Sequence, residues 1–109
     1  MAKSRRPAPS YPLEEVRALA ACAGKRHLTA TAAATARTEL EMTVLDVFAA
    51  VAKLHASDFY KTMPSEREPG LFQDVYRPTV VCPAFPRGVR VYCKVQIING
   101  VIVISFKQL

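Results

Sequence analysis

The chain has 109 residues, 15 Lys plus Arg against 9 Asp plus Glu, two His and 50% apolar residues. That length fits one compact domain, 11–109, whose core draws on nearly every regular element, and it excludes a large internal pocket for a bulky cofactor. The formal charge of +6 points to an anionic partner, with nucleic acid, an acidic protein and a phospholipid surface as the candidates.

The charge is uneven. Residues 1–37 carry seven basic and two acidic side chains, residues 38–77 carry four and seven, and residues 78–109 carry four and none. Cys22, Cys82 and Cys93 are odd in number, with spacings that match neither a zinc nor a redox pattern, so no disulfide framework, metal or cofactor is expected. They read as small buried hydrophobes in a reducing, cytoplasmic setting. The start lacks the apolar core of a signal peptide, and no run approaches the roughly 18 apolar residues of a membrane span, so no membrane partner is expected.

In chain order, residues 1–10 (MAKSRRPAPS) read as a disordered, basic, Pro-rich arm. Pro12, the acidic pair Glu14 and Glu15, and a left-handed stop at Gly24 predict a helix over 12–23. Thr29 can cap an Ala-rich helix to about Arg37. Thr43 opens a third helix, in which Val44, Val47, Phe48, Val51 and Leu54 form an apolar stripe suited to packing on a sheet. Residues 57–70, with Pro64, Pro69, Gly70 and five charges, have the composition of an exposed loop. Val and Ile then predict strands at about 72–81, 89–98 and 101–108, giving an α+β chain with a small antiparallel sheet. His27 and His55 read as surface or capping residues.

Asn99-Gly100 is a strong two-residue hairpin signal. With these as the turn, Ile98 pairs with Val101 and the whole register follows. Cys93 with Phe106, Val95 with Ile104 and Ile97 with Ile102 make the core face. Tyr92 with Lys107 and Lys94 with Ser105 share the other face, near Arg90 and Gln96. Directly opposed Cβ atoms lie roughly 5 Å apart, so Tyr92 and Lys107 can reach one target, and a phosphate suits it. On the preceding strand Gln73, Val75 and Arg77 alternate with Phe72, Asp74 and Tyr76, and Gln73 or Tyr76 can join the polar face. Pro78 predicts an edge or bulge there, and residues 82–88 form no standard turn.

The blocks Ser57-Asp58-Phe59-Tyr60-Lys61, Gln73-Asp74-Val75-Tyr76-Arg77-Pro78, Val91-Tyr92-Cys93-Lys94 and Val103-Ile104-Ser105-Phe106-Lys107, in this order, resemble the MqsR family of bacterial toxin–antitoxin toxins. The resemblance covers about residues 57–109. It implies a RelE-like fold with N-terminal helices on a small antiparallel sheet, and sequence-selective cleavage of mRNA, at GCU in the best-known members; the residues themselves offer no clear cluster of His and carboxylates to hold a metal, so that cleavage is expected to be metal-independent. It also implies a cognate antitoxin, MqsA-like or another DNA-binding protein. The family's proposed catalytic positions fall on Lys61, Gln73, Tyr92 and Lys107. Tyr76, Arg77, Arg90 and Lys94 are the expected RNA contacts, whereas Phe59 reads as core. Phe72 stands where the family often has Trp, the 82–88 connection looks longer, and Pro64 and Pro69 stiffen the loop after Lys61. These departures bear on base preference more than on cleavage.

RNA cleavage through its own 2′-hydroxyl needs a base, a charge stabiliser and an acid for the leaving oxygen. Lys107 and Lys61 suit the charge, Tyr92 the proton transfer and Gln73 the positioning. Lys and Tyr ionise near pH 10 in the open, so a base drawn from them needs cationic neighbours. The competing readings are a non-catalytic RNA- or ribosome-binding module and a surface that docks an acidic antitoxin; a homodimer is compatible with all three.

Overall fold

The hairpin that Asn99-Gly100 predicts is the longest feature of the sheet, and its register runs from Ile98 with Val101 to Val91 with Gln108. Asn99 and Gly100 take φ of 51° and 76°, the left-handed pair that a tight turn between right-twisted strands requires. The computed structural model describes residues 8–66 and 68–109. Residues 1–7 of the predicted basic arm lie outside the described residues.

Three α-helices and six strands follow in the order α1 (Leu13–Ala20), β1 (Arg26–Leu28), α2 (Ala30–Thr35), α3 (Val44–Ala52), β2 (Phe59–Pro64), β3 (Phe72–Tyr76), β4 (Thr79–Cys82), β5 (Phe85–Ile98) and β6 (Val101–Gln108). The class is α+β. The sheet is mixed, however, not antiparallel: its order is β1-β6-β5-β3-β2, with β1 parallel to β6 and β4 paired to β5 off this path.

The helix starts follow their caps. Thr29 Oγ1 accepts from the Ala32 N–H at 3.2 Å. Thr43 Oγ1 accepts from the Asp46 N–H at 3.1 Å while the Asp46 carboxylate accepts from the Thr43 N–H at 2.9 Å, a reciprocal capping box. The stripe Val47, Phe48, Val51 and Leu54 is buried, but Val44 at the first turn is exposed. Helix α1 ends three residues early. Its terminal carbonyl at Ala20 accepts from the Arg26 guanidinium at 3.0 Å, so the cap is a side chain, and Gly24 sits in a 3-10 turn without a positive φ.

Three sheet elements depart from expectation. Residues 59–64 form β2 inside the predicted loop, paired with β3 around a bulge at Tyr60. Pro78 splits the predicted strand 72–81 into β3 and β4, since it has no N–H to donate; its carbonyl still accepts from the Val91 N–H at 3.0 Å. The 82–88 connection is a hairpin in which Cys82 pairs with Phe85, and Gly88, at φ 102°, stands where a Cβ would meet Thr79 Cγ2 at 2.9 Å. Cys82 and Cys93 are buried as expected; Cys22 is exposed.

One core cluster joins Val16, Ala36, Val47 and Val51 from the helical segments to Val95, Ile102, Ile104 and Phe106 from the sheet. Helix α1 lies beside α3, and α1 and α2 both contact β6. Into this apolar side projects Asp74, 0% exposed, from the position on β3 opposite Val95. Its two oxygens accept from the backbone N–H groups of Ser10 and Tyr11, each at 2.9 Å. The Tyr11 hydroxyl donates to the Phe72 carbonyl at 2.7 Å, and Ser10 Oγ lies 2.6 Å from Thr62 Oγ1. The segment before α1 is thereby strapped to β2 and β3.

A buried carboxylate with two backbone donors loses both bonds and strands both donors when truncated, so Asp74→Ala should lower the unfolding free energy by about 2–4 kcal/mol in urea titration. A change below about 0.5 kcal/mol, the size usual for a surface substitution, would show that the strap contributes nothing.

Candidate active site

Because side chains alternate along each strand, the strand registers alone place the polar residues. Tyr92 faces Lys107, Lys94 faces Ser105 and Gln96 faces Val103 across β5 and β6. On the other side of β5, Val75 of β3 pairs with Lys94, and Lys61 of β2 pairs with Val75. Extending the β3–β5 register by one residue at each end sets Gln73 beside Gln96 and Arg77 beside Tyr92. Lys61, Gln73, Arg77, Tyr92, Lys94 and Lys107 therefore share the face opposite the core.

They share a face and form rungs on it. Lys107 Nζ lies 5.3 Å from the centre of the Tyr92 ring. One rung along, Lys94 and Lys61 are two strands apart, roughly 10 Å at the usual strand spacing. Gln73 stands two rungs from Tyr92, roughly 13 Å at the rise of a strand. Arg90, next to Tyr92 on the same face, donates from Nε to the Arg77 carbonyl at 3.0 Å. A cluster of four side chains converging on one atom is not what the sheet presents; it presents a strip of cations long enough to follow a phosphate backbone.

The bulge at Tyr60 gives this strip an aromatic element. The Tyr60 ring has Arg77 Cζ at 4.4 Å and Lys61 Nζ at 5.5 Å from its centre, while 42% of the residue stays exposed. A ring held by two cations and open to solvent suits stacking with an unpaired base.

Tyr76, expected as an RNA contact, is overturned: it points to the core side, is 1% exposed and packs edge-on against Phe59 at 5.6 Å and 68°. Phe59 is buried, as read. His55 is exposed and its backbone N–H donates to the Asp58 carboxylate at 2.9 Å. His27 is exposed too, but β1, which the sequence did not reveal, sets it opposite Val103 on the polar face.

That placement opens a cleft of about 700 Å³ lined by His27, Thr29, Ser65, Gln73, Gln96 and Ser105 among others. A groove of about 780 Å³ between α3 and β4, lined by Met42, Leu54, Val80 and Cys82, holds none of the strip residues. Among the described residues no group of three or more His, Cys, Asp or Glu gathers to bind a metal ion.

Fold and face together define a small α+β protein whose mixed sheet carries a cationic, phosphate-sized strip with no carboxylate from residue 75 onward. A family model described as "Motility quorum-sensing regulator, toxin of MqsA" matches residues 8–108, and the chain belongs to that family. It is similar to the "mRNA interferase toxin MqsR" of Escherichia coli (strain K12), with 40% identity over 55 residues, 50% of each chain. The match thus spans about half the length of that curated relative.

Burial pushes the Tyr76 phenol up to about 12, with the charges of Asp74 and Cys93 adding to it, and burial alone pushes the Cys93 thiol up to about 12. Both groups ionise more readily in the unfolded chain, at about 10 and 9. Their contribution to stability is therefore whole below pH 9 and lost as pH rises from there through 12. Thermal unfolding followed from pH 8 to 11 should show Tm falling in the alkaline range, and less steeply in Tyr76→Phe; parallel curves for the two proteins would place the effect elsewhere.

Proposed function

We propose that the protein is the toxin of a type II toxin–antitoxin pair: a cytoplasmic, RelE-like mRNA interferase with its toxin domain at 11–109 and a basic arm at 1–10. The observation that carries this reading is Tyr92 opposite Lys107 on a face that holds Lys94, Lys61, Arg77 and Arg90 and to which β2, β3, β5 and β6 turn no acid. Family membership and the relative's name support it.

The reaction suited to such a face is transesterification within the RNA. The 2′-oxygen attacks the adjacent phosphorus and gives up its proton, the bond from phosphorus to the 5′-oxygen breaks, and that oxygen takes up a proton. The products are a 2′,3′-cyclic phosphate and a 5′-hydroxyl. Lys107, beside the ring, meets the charge that grows on the pentacoordinate phosphate, and Lys61 adds to it from across the strip. Tyr92 takes part in proton transfer. Gln73, two rungs away, hydrogen-bonds the ribose or phosphate of a neighbouring nucleotide. No step calls on a metal. GCU-like sites are expected from the resemblance, as are neutralisation by a DNA-binding antitoxin and a possible homodimer.

Incubating the purified protein with a defined mRNA, without ribosomes and with EDTA, should give discrete cuts with 5′-hydroxyl ends. Tyr92→Phe and Lys107→Ala should each slow cleavage by on the order of a hundredfold or more, while Tyr76→Phe, in the core, should leave it unchanged. RNA that is bound in a salt-sensitive way but left intact would favour a non-catalytic binding module; wild-type rates in both variants would remove the pair from the chemistry.

A further inference from the structure

The cleft at one end of the strip shares Gln73 and Lys94 with it and adds groups the strip lacks. Its lining adds Gln96, Ser105, His27 and Thr31 to these, together with Glu66 and Glu68. The loop that carries these acids is pinned, since the Ser65 N–H donates to the Leu71 carbonyl at 2.9 Å and Ser65 Oγ accepts from the Glu68 N–H at 3.2 Å. Two carboxylates repel a phosphate, so a polyanion's backbone belongs on the Lys94 and Lys107 side. What fits amides, hydroxyls and carboxylates together is the edge of a base.

Gln96 is the residue that singles out the base. It is 5% exposed, and its Nε2 is buried with no hydrogen-bond acceptor among the described residues. A buried amide N–H without a partner is rare in folded proteins and costs stability, so it marks a donor held ready for a ligand acceptor. Guanine and uracil each present a carbonyl oxygen next to a ring N–H. Cytosine and adenine carry the reverse pattern on that edge, an amino donor beside a ring-nitrogen acceptor, so in the same placement they would set donor against the Gln96 amide and acceptor against a carboxylate. The carboxylates in the lining can accept from the ring N–H. On β5, Gln96 is four residues from Tyr92, roughly 13 Å along the strand, within reach of a nucleotide neighbouring the scissile phosphate.

We propose that this cleft is a nucleobase subsite in which the buried Gln96 amide selects a keto base, guanine or uracil. The proposal deepens the reading above and rests on RNA being the ligand. A site built around an unpaired polar group rejects the wrong ligand by leaving that group unsatisfied, so discrimination should be substantial.

The test uses uncleavable 2′-O-methyl octamers and fluorescence anisotropy, so it does not depend on catalysis. Oligo-U should bind on the order of tenfold tighter than oligo-C, or oligo-C with one inosine tighter than oligo-C with one adenosine, the two arms telling uracil from guanine. Gln96→Leu should erase the preference while folding with a Tm at or above that of the wild type, because the unpaired amide is gone. Lys94→Ala should weaken all octamers alike and flatten the salt dependence. Equal binding of keto and amino octamers by the wild-type protein, or an unchanged preference in Gln96→Leu, overturns the subsite and leaves the nuclease reading standing. A keto preference without cleavage of any mRNA overturns the nuclease and keeps the subsite, and no binding of any octamer at low salt overturns both.

Discussion

The register of β5 against β6 is the constraint on which the rest of the molecule depends. Two residues with positive φ, Asn99 and Gly100, close the turn and fix every pair from Ile98 with Val101 to Val91 with Gln108. A slip of one residue would oppose the core residues of one strand to the polar residues of the other, turning either Cys93 and Val95 or Ile102 and Ile104 toward solvent. Separation of an apolar face from a cationic one is therefore a consequence of turn geometry. The neighbouring strands inherit it, β3 through its pairing with β5 and β1 through its pairing with β6.

Strand β3 shows how finely this separation operates. Val75 pairs with Lys94 on the strip side, whereas Asp74 and Tyr76, its immediate neighbours, pair with Val95 and Cys93 on the core side. The acid that the sequence places among the site residues is thereby hidden from the strip and held by the Ser10 and Tyr11 N–H groups. A carboxylate on the other face would offset the cations there. Alternation keeps this acid off the strip and turns it into a tie for the chain's N-terminal segment.

What was legible in the sequence follows from how local its cause is. The hairpin, the Thr29 and Thr43 caps and the core faces of β5 and β6 depend on neighbours within a few residues, and they could be read. Strand β1 is three residues long and exists because β6 offers it a parallel edge, so nothing near Arg26 to Leu28 announces it. Strand β2 was hidden by the loop composition of residues 57–70, although Phe59, Tyr60 and Thr62 favour strands. The site shared this fate. Tyr92 and Lys107 were placed by register, but the lateral position of Lys61 and Gln73 needed β2 and β3 to be seated. With the β3 register open, either Gln73 or Tyr76 could join the polar face, and Tyr76 was counted among the RNA contacts. His27 and Gln96 met only when β1 was in place.

The same contrast between near and far partners has a kinetic side. The β5–β6 hairpin is closed by a two-residue loop, and contacts of that kind form within microseconds. The Asp74 strap joins residues 64 apart, and β1 must find β6 from the far end of the chain, so both wait for large loops to close. Contact order thus expects the hairpin that carries Tyr92 and Lys107 to form ahead of the β1–β6 edge that borders Gln96. The face of cations depends on near neighbours in the chain, and the cleft beside it on distant ones.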